Sequence, residues 1–287
     1  MVAQARQRIP PWIRLKLPSN PSFSSTSRLI EDLRLNTVCE SARCPNRWEC
    51  WSRATATFMV GGSRCTRACG FCAVETARPL ALDADEPWRV ADACRRLGLR
   101  HVVITMVARD DLEDGAAGHV AQTVRAVRES CGSIVIEVLT TDFNGSEESL
   151  RTVIEAGPEV FNHNLETTER LTPQVRSRAR YRRSLSILKK ARELSVCVMT
   201  KSGLMLGLGE TEAELKEAFL DLRAADCDVL TLGQYLQPTL RHLPVVEFVP
   251  PDRFERYRDI ALALGFRDVF SGPLVRSSYH ADELKVI

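Results

Sequence analysis

The sequence has no long hydrophobic run and no strong excess of charge of one sign. Its longest apolar stretches, such as HVVITMV at residues 101–107, are far shorter than the roughly 20 residues that a membrane-spanning helix needs. Lysine and arginine total 39 against 37 aspartates and glutamates, so the formal net charge is only +2. Neither a membrane nor a nucleic acid is therefore indicated as a partner.

Glycine and proline are also scarce, with 15 and 14 residues in a chain of 287. Hydrophobic residues make up 44%, which excludes disordered and collagen-like classes and predicts a globular core. No continuous apolar run suits a secretory signal, and Pro10 and Pro11 interrupt the basic, serine-rich start that would otherwise suggest a transit peptide. We expect a cytoplasmic protein.

Cysteine, in contrast, is abundant, with ten residues. A chain without a secretory signal is a poor candidate for a disulfide framework, because reducing compartments keep thiols free. Six cysteines form two groups of three, Cys39, Cys44 and Cys50, then Cys65, Cys69 and Cys72. The other four are scattered singly, as small buried hydrophobic residues are.

From residue 55 onward, short β-rich runs alternate with amphipathic helical patterns. The six runs cover residues 55–61, 101–106, 134–139, 160–166, 196–206 and 228–236. This alternation predicts a parallel sheet with helices outside it, either doubly wound or a partial barrel. In both architectures the chemistry lies at the carboxyl ends of the strands.

Two segments lie outside the six units. Residues 1–54 form an N-terminal extension that carries the first three cysteines, and residues 267–287 form a C-terminal tail. Neither is long enough for an ordinary independent domain. We therefore expect both to pack on the central unit, residues 55–266, within a single functional domain.

The stretch CTRACGFC places Cys65, Cys69 and Cys72 directly after the first predicted strand, at the catalytic end. Thiolates prefer zinc or iron–sulfur clusters. A structural zinc takes a fourth protein ligand, usually nearby, and the next histidine is His101. Three cysteines on a four-iron cluster leave one iron open. The spacing, with Phe71 before the last cysteine, resembles the signature of radical S-adenosylmethionine (SAM) enzymes.

Cys39, Cys44 and Cys50 suggest a second cluster. Their spacing differs from the paired C-x2-C knuckles of a zinc ribbon, although a zinc-ribbon fragment is the structural alternative. The fourth ligand of this group has to come from elsewhere in the chain.

The sequence as a whole resembles the lipoyl synthase family. The motifs that carry the resemblance occur in order from about residue 10 to 282: TVCESARCPN, ATFMVGGSRCTRACGFC, RDDLEDG, IEVLTTDF, FNHNLETTERL, TKSGLMLGLGET, LTLGQYLQPT, HLPV and GPLVRSSYHAD. The resemblance implies an α/β fold, a partial (β/α)6 TIM-like barrel of the radical SAM type with N- and C-terminal extensions. It also implies two 4Fe–4S clusters and SAM, with two SAM molecules consumed per lipoyl group.

The activity implied is the insertion of two sulfur atoms at C6 and C8 of an octanoyl group on a carrier-protein lysine. A 5′-deoxyadenosyl radical would remove each hydrogen, and an auxiliary cluster would supply the sulfur. The implied partners are octanoylated lipoyl domains of 2-oxoacid dehydrogenase E2 subunits or the glycine cleavage H protein, a flavodoxin or ferredoxin as electron donor, and cluster assembly or repair proteins. The alternatives are a biotin synthase-like or methylthiotransferase-like enzyme, or a zinc-stabilised binding module.

By the same resemblance, Cys65, Cys69 and Cys72 bind the SAM cluster. The other three cysteines hold the auxiliary cluster with a serine of the tail, Ser277 or Ser278. A serine suits this role, because a cluster that must be dismantled benefits from one harder, labile ligand rather than a fourth thiolate. Of the two serines we favour Ser278. His280 is the alternative ligand.

The resemblance also implies contacts with SAM at Phe71, Asn164, Glu166 and Lys201. For Asn164 and Glu166 the alternative is a solvated strand end. Period-two alternation places Asn164 and Glu166 on one side of the fourth strand.

Two charged stretches allow two interpretations each. Arg109, Asp110 and Asp111 either meet SAM or substrate, or form a helix start favoured by the helix dipole. The arginine-rich segment at residues 176–183 either docks an acidic carrier domain or is a solvated helix start.

Overall fold

The computed structural model describes residues 8–13, 22–52, 56–279 and 281–284. Its elements begin with α1 (Ser22–Asp32), α2 (Val38–Ser41), α3 (Arg47–Ser52), β1 (Thr57–Val60), β2 (Arg64–Cys65) and β3 (Glu75–Thr76). They continue with α4 (Glu86–Leu97), β4 (His101–Met106), α5 (Ala117–Cys131), β5 (Val135–Leu139), α6 (Glu147–Ile154), β6 (Val160–Asn162), α7 (Thr172–Val175), α8 (Tyr181–Leu194), β7 (Met199–Leu206), α9 (Glu212–Ala224), β8 (Val229–Gln234), α10 (Pro251–Ala263) and β9 (Asp268–Gly272). Two short 3-10 helices cover Phe143–Gly145 and Ala281–Glu283.

Seven strands form one parallel sheet in the order β1-β4-β5-β6-β7-β8-β9. Each strand therefore pairs with the next one along the chain, as the winding of a β/α barrel requires. All six predicted strands are present. The sequence analysis missed β9, which lies in the predicted tail, because its five residues DVFSG are all only half-buried and carry no continuous apolar run.

The main core lies between the outer face of the sheet and the helices. Alternate strand residues, including Phe58, Ile104, Phe161 and Leu232, are at most 1% exposed there. A reciprocal capping box between Thr211 and Glu214 marks the beginning of α9. No helix in the described ranges is both long and apolar enough to cross a membrane.

The inner face of the sheet is polar above an apolar base. Val160, Met199, Val229 and Leu284 form the base near the amino ends of the strands. Next along the barrel, Glu137 accepts hydrogen bonds from Lys201 Nζ at 3.0 Å and from Asn162 Nδ2 at 2.7 Å, and His101 lies 3.4 Å away. Glu137 and Lys201 are almost completely buried.

This buried pair explains the ionisation of Glu137. Burial by itself raises the pKa of this carboxyl, but the neighbouring Lys201 and His101 lower it below its ordinary value. The pair is therefore charged, and each charge depends on the other for its stability inside the protein.

At the carboxyl ends of the strands, Arg67 ties three loops together. Its guanidinium contacts Asp110 at 2.7 Å, Asp142 at 2.8 Å and Asn144 Oδ1 at 3.0 Å. These residues follow β4 and β5, whereas Arg67 itself lies between Cys65 and Cys69. Burial raises the pKa of Asp142, but the charge of Arg67 outweighs it and lowers that pKa to about 2.

The buried Glu137–Lys201 pair predicts a large effect of removing one partner. We expect Lys201→Met to lower the free energy of unfolding by about 3–5 kcal/mol, because it leaves Glu137 charged and unpaired. Adding Glu137→Gln should restore part of the loss. The control is Lys190→Met, which breaks the exposed pair with Glu147 and should cost about 0–1 kcal/mol. Equal effects of the two lysine variants in denaturant titrations would contradict this.

The Arg67–Asp142 pair predicts acid sensitivity. The folded pKa of Asp142 lies below the unfolded value of 3.8, so its contribution is present above that value and is lost as pH falls toward about 2. We expect Asp142→Asn to flatten the fall in unfolding free energy between these pH values. The matched control is Glu147→Gln, whose carboxyl is exposed. Parallel pH profiles for parent and Asp142→Asn would refute the assignment.

Candidate functional site

The second group of cysteines lies on the loop after β1. Cys65 ends β2, and its Sγ accepts hydrogen bonds from the backbone N–H groups of Ala108 at 3.3 Å and Arg67 at 3.4 Å. The Cys72 N–H donates to the carbonyl of Cys69 at 3.1 Å. Burial raises the pKa of Cys69 to about 11 and that of Cys72 to about 12. A metal that bound here would have to displace protons from these thiols.

The loop after β8 covers this cysteine loop. His242 Nε2 donates to the carbonyl of Cys72 at 3.0 Å, and its Nδ1 accepts from Thr239 Oγ1 at 2.9 Å. The Leu243 N–H donates to the carbonyl of Gly70 at 2.9 Å. A side chain at position 70 would lie 2.9 Å from the Leu243 side chain, so the glycine permits this close packing.

The first group of cysteines lies near the amino end of β1. Thr37 caps α2, which contains the buried Cys39. The Cys44 N–H donates to the carbonyl of Cys39 at 3.0 Å, and Cys50 belongs to α3. Thr57, the first residue of β1, lies beside Cys39 and acts to lower its pKa, but burial dominates and raises the pKa of Cys39 to about 11.

The two cysteine groups thus lie at opposite ends of one short strand. β1 has four residues, which span about 10 Å at the usual rise per residue. Among the described residues, no three Cys, His, Asp or Glu side chains converge on a site for a single metal ion. In a four-iron cluster each cysteine binds a different iron, so a group of three cysteines can hold such a cluster and leave one iron for another ligand.

The C-terminal tail passes through the barrel between these groups. Ser277 Oγ lies 2.6 Å from Asn164 Nδ2, and Ser278 Oγ lies 2.9 Å from Thr57 Oγ1. The two serines therefore face different groups. Ser278 faces the end of β1 that lies beside Cys39, and Ser277 faces the predicted SAM contact Asn164. His280 lies outside the described residues.

Two further hydrogen bonds hold the tail against the N-terminal extension. Asn46 Nδ2 donates to the carbonyl of Leu274 at 2.6 Å, and the Tyr279 hydroxyl donates to both carboxylate oxygens of Glu49 at 3.1 Å. Asn46 directly precedes α3, and Glu49 lies within it, next to Cys50. The tail is thereby fixed on both sides of Ser278.

The positive charge of Arg276 acts on the first cysteine group and on one of the predicted SAM contacts. Its guanidinium interacts with Cys44 on one side and with Glu166 on the other, and burial lowers its pKa. One of its nitrogens donates to the carbonyl of Val275 at 2.6 Å. A cation at this position favours the binding of negatively charged groups at either end.

Two of the predicted SAM contacts lie together. Asn164 Nδ2 donates to Glu166 Oε1 at 3.0 Å, and burial raises the pKa of Glu166. Asn164 Oδ1 is buried without a hydrogen-bond partner among the described residues. Unpaired acceptors beside a carboxylate suit hydroxyl donors of a ligand, such as those of a ribose.

The other two predicted contacts lie apart from this pair. Phe71 packs in a small apolar cluster with Leu171, Val175 and Tyr235. Lys201 pairs with Glu137 instead, and it lies two residues before Gly203, whose carbonyl accepts from the Glu166 N–H. The Lys201 side chain, which was predicted to contact SAM, is thus already paired with the carboxylate of Glu137.

The two charged stretches form internal ion pairs. Arg109 bonds to Asp111 at 2.8 Å and to the Gly61 carbonyl at 3.1 Å, and Asp110 bonds to Arg67. The side chains of Arg109 and Asp110 therefore bond to residues of their own and neighbouring loops.

The arginine-rich segment is similarly engaged. Arg176 is buried against the carbonyl of Asn164 at 2.9 Å, Arg182 pairs with Glu169, and Arg183 pairs with Asp142 at 2.6 Å. Arg178 remains 62% exposed, 3.7 Å from Asp110. The segment leads into the start of α8, and its exposed residues Arg178 and Arg182 lie near acidic side chains, so it is not an uninterrupted basic surface.

The sequence analysis did not identify Thr57, Asn46 or His242. Their motifs, ATFMVGG, CPN and HLPV, were noted, but nothing local in those motifs indicates contacts with residues 170 to 228 positions away. Only the fold brings each of them beside a cysteine or the tail.

Comparisons with known proteins agree with this arrangement. Residues 59–222 match the radical SAM superfamily, and residues 2–44 match the N-terminal domain of lipoyl synthase of the radical SAM family. The first match spans the sheet from β1 to α9, including Cys65, Cys69 and Cys72. The second contains Cys39 and Cys44.

Curated relatives are similar along nearly the whole chain. A lipoyl synthase of Caldanaerobacter subterraneus subsp. tengcongensis is 54% identical over 275 residues, which cover 96% of each chain. A lipoyl synthase of Rubrobacter xylanophilus is 51% identical over 280 residues, covering 98% of this chain and 87% of the relative.

Solved structures support the fold. Methylornithine synthase aligns over 94% of this chain and 86% of its own with a TM-score of 0.58 and 15% identity. HydG, a maturase of the [FeFe]-hydrogenase, aligns over 92% and 71% with a TM-score of 0.54 and 12% identity. With a radical SAM barrel, two cysteine groups and relatives above 50% identity, the chain belongs to the lipoyl synthase family of radical SAM sulfurtransferases, which use SAM and 4Fe–4S clusters.

Proposed function

We propose that this chain is a lipoyl synthase that inserts sulfur at C6 and C8 of an octanoyl group bound to a carrier-protein lysine. The observation that carries the proposal is the placement of two cysteine groups at opposite ends of β1, with the tail between them. The reaction is proposed from membership of the family. The residues described below are proposed to bind the cofactors and to hold the cysteines in position.

Cys65, Cys69 and Cys72 are proposed to hold the SAM cluster. When bound, that cluster and SAM supply a radical able to remove hydrogen from unactivated carbon, while the auxiliary cluster supplies sulfur. Asn164 and Glu166 would orient SAM through its ribose hydroxyls, because they offer adjacent acceptors on one strand end. Phe71 would contribute an apolar wall.

Arg67 and His242 are proposed to fix the cysteine loop. Arg67 holds it to the loops after β4 and β5, and His242 holds the Cys72 carbonyl. A loop tied at both ends keeps three thiols in position when they are deprotonated by iron. It also limits entry of water to the site.

Cys39, Cys44, Cys50 and Ser278 are proposed as the ligands of the auxiliary cluster. Ser278 is favoured over Ser277 because its hydroxyl lies beside Thr57, which also contacts Cys39. Ser277 is turned toward Asn164 instead. An oxygen ligand binds iron less firmly than a thiolate, which suits a cluster that gives up sulfur.

The chain's partners are proposed from the reaction. The substrates are octanoylated lipoyl domains of 2-oxoacid dehydrogenase E2 subunits or the glycine cleavage H protein. A flavodoxin or ferredoxin would supply electrons, and assembly or repair proteins would renew the auxiliary cluster. A cytoplasmic location is consistent with ten free cysteines, because reducing compartments preserve thiols and clusters.

The cluster content predicts a simple stoichiometry. Anaerobically reconstituted protein should contain about eight irons and eight sulfides per chain, and about half as many after either cysteine group is replaced by alanine. Octanoylated carrier domain should gain two sulfur atoms by mass spectrometry only with both groups intact. Stoichiometric zinc without sulfide would contradict the proposal and favour the zinc-stabilised module.

The two serines predict different outcomes. Ser278→Ala should abolish sulfur insertion while SAM cleavage continues, because only the auxiliary site is damaged. Ser277→Ala is the matched control, since it removes the neighbouring hydroxyl and should keep the iron content unchanged. Sulfur insertion by Ser278→Ala at the parent rate would move the ligand assignment to another residue.

A further inference from the structure

Thr57 has an unusual position for a strand residue. It is the first residue of β1, it is only 5% exposed, and its side chain faces the tail rather than the helices. Its Oγ1 lies 2.9 Å from Ser278 Oγ, a residue 221 positions later. The same threonine also lies beside the Cys39 sulfur. Thr57 thus lies between a cysteine of the first group and the tail serine.

Thr57 is held rigidly. Its backbone pairs with Val103 in the sheet, and the N-terminal extension reaches the next residue through the bridge between Thr37 and Phe58. The buried Trp51 also lies close to Cys39. A hydroxyl on such a support has few alternative positions, so it can define where Ser278 lies.

A hydroxyl can serve the serine in both of its protonation states. A serine bound to iron as an alkoxide can only accept a hydrogen bond, and Thr57 can donate to it. A serine released from iron carries a proton, and Thr57 can then accept from it. The Thr57–Ser278 contact therefore survives both binding and release, whereas a valine at position 57 would provide neither interaction.

We propose that Thr57 is a positioning residue that holds Ser278 at the auxiliary site and sets how readily the serine-bound iron is lost. This inference rests on the proposed role of Ser278 as a ligand. Thr57 acts through the serine and has no contact with substrate in this assignment.

The test uses full-length protein in which Cys65, Cys69 and Cys72 are replaced by alanine, so that only the auxiliary cluster is loaded. Controlled oxidation then converts a four-iron cluster that loses its distinct iron into a three-iron cluster, which has its own EPR signal. We expect Thr57→Val to increase the rate of this conversion about tenfold, because a charge-assisted hydrogen bond to the ligand is lost. Thr57→Ser should restore the parent rate.

Thr105→Val is the matched control. Thr105 is also buried, lies on the neighbouring strand, and bonds to the carbonyl of Leu139 at 3.1 Å, away from the tail. Its replacement should leave the conversion rate unchanged. If Thr57→Val accumulates too little folded protein, Thr57→Ser against Thr57→Ala gives the same comparison with smaller side chains.

The double variant separates this inference from the proposed function. Thr57→Val should add nothing to Ser278→Ala if threonine acts through the serine. A Ser278→Ala protein that retains its distinct iron like the parent would overturn the ligand role and this inference with it. Loss of that iron in Ser278→Ala but not in Thr57→Val, or fully additive effects of the two, would overturn the role of Thr57 alone.

Discussion

The structure depends on the hydrogen bonds that hold the C-terminal tail inside the barrel. Asn164 binds Ser277, Thr57 binds Ser278, and Asn46 binds the carbonyl of Leu274. Without these bonds, Ser278 would not be held beside Thr57 and Cys39, nor Ser277 beside Asn164. The tail therefore connects the surroundings of the two groups of cysteines.

Charges inside the fold are arranged to stabilise this site from below and from above. Below it, Glu137 and Lys201 form a buried ion pair inside the barrel, with the ammonium nitrogen 3.0 Å from the carboxylate. Above it, Arg67 gathers the loops that follow three strands. Both arrangements bury charge, which is costly unless every partner is present, so they favour one conformation over nearby alternatives. The cysteines gain fixed positions as a result.

The sequence was sufficient for features that depend on local pattern. Periodicity predicted the six strands and the placement of Cys65 after the first of them. The resemblance led to Ser278 as the favoured ligand. β9 was missed because it is short and half-buried. The partners of Asp110, Lys201 and the arginine-rich segment could not be predicted, because each comes from a distant loop or strand that only the folded chain brings near.

Two glycines on the inner face of the barrel leave the space that the tail occupies. A side chain at Gly233 would lie 2.1 Å from the carbonyl oxygen of Val275, and one at Gly203 would lie 3.1 Å from Ser277 Oγ. Glycine weakens a strand, so the sheet gives up some of its own stability to leave a passage for another part of the chain. The barrel wall and the tail therefore constrain each other's sequence. A larger residue at Gly203 or Gly233 would displace the tail motif even if the sequence of that motif were unchanged.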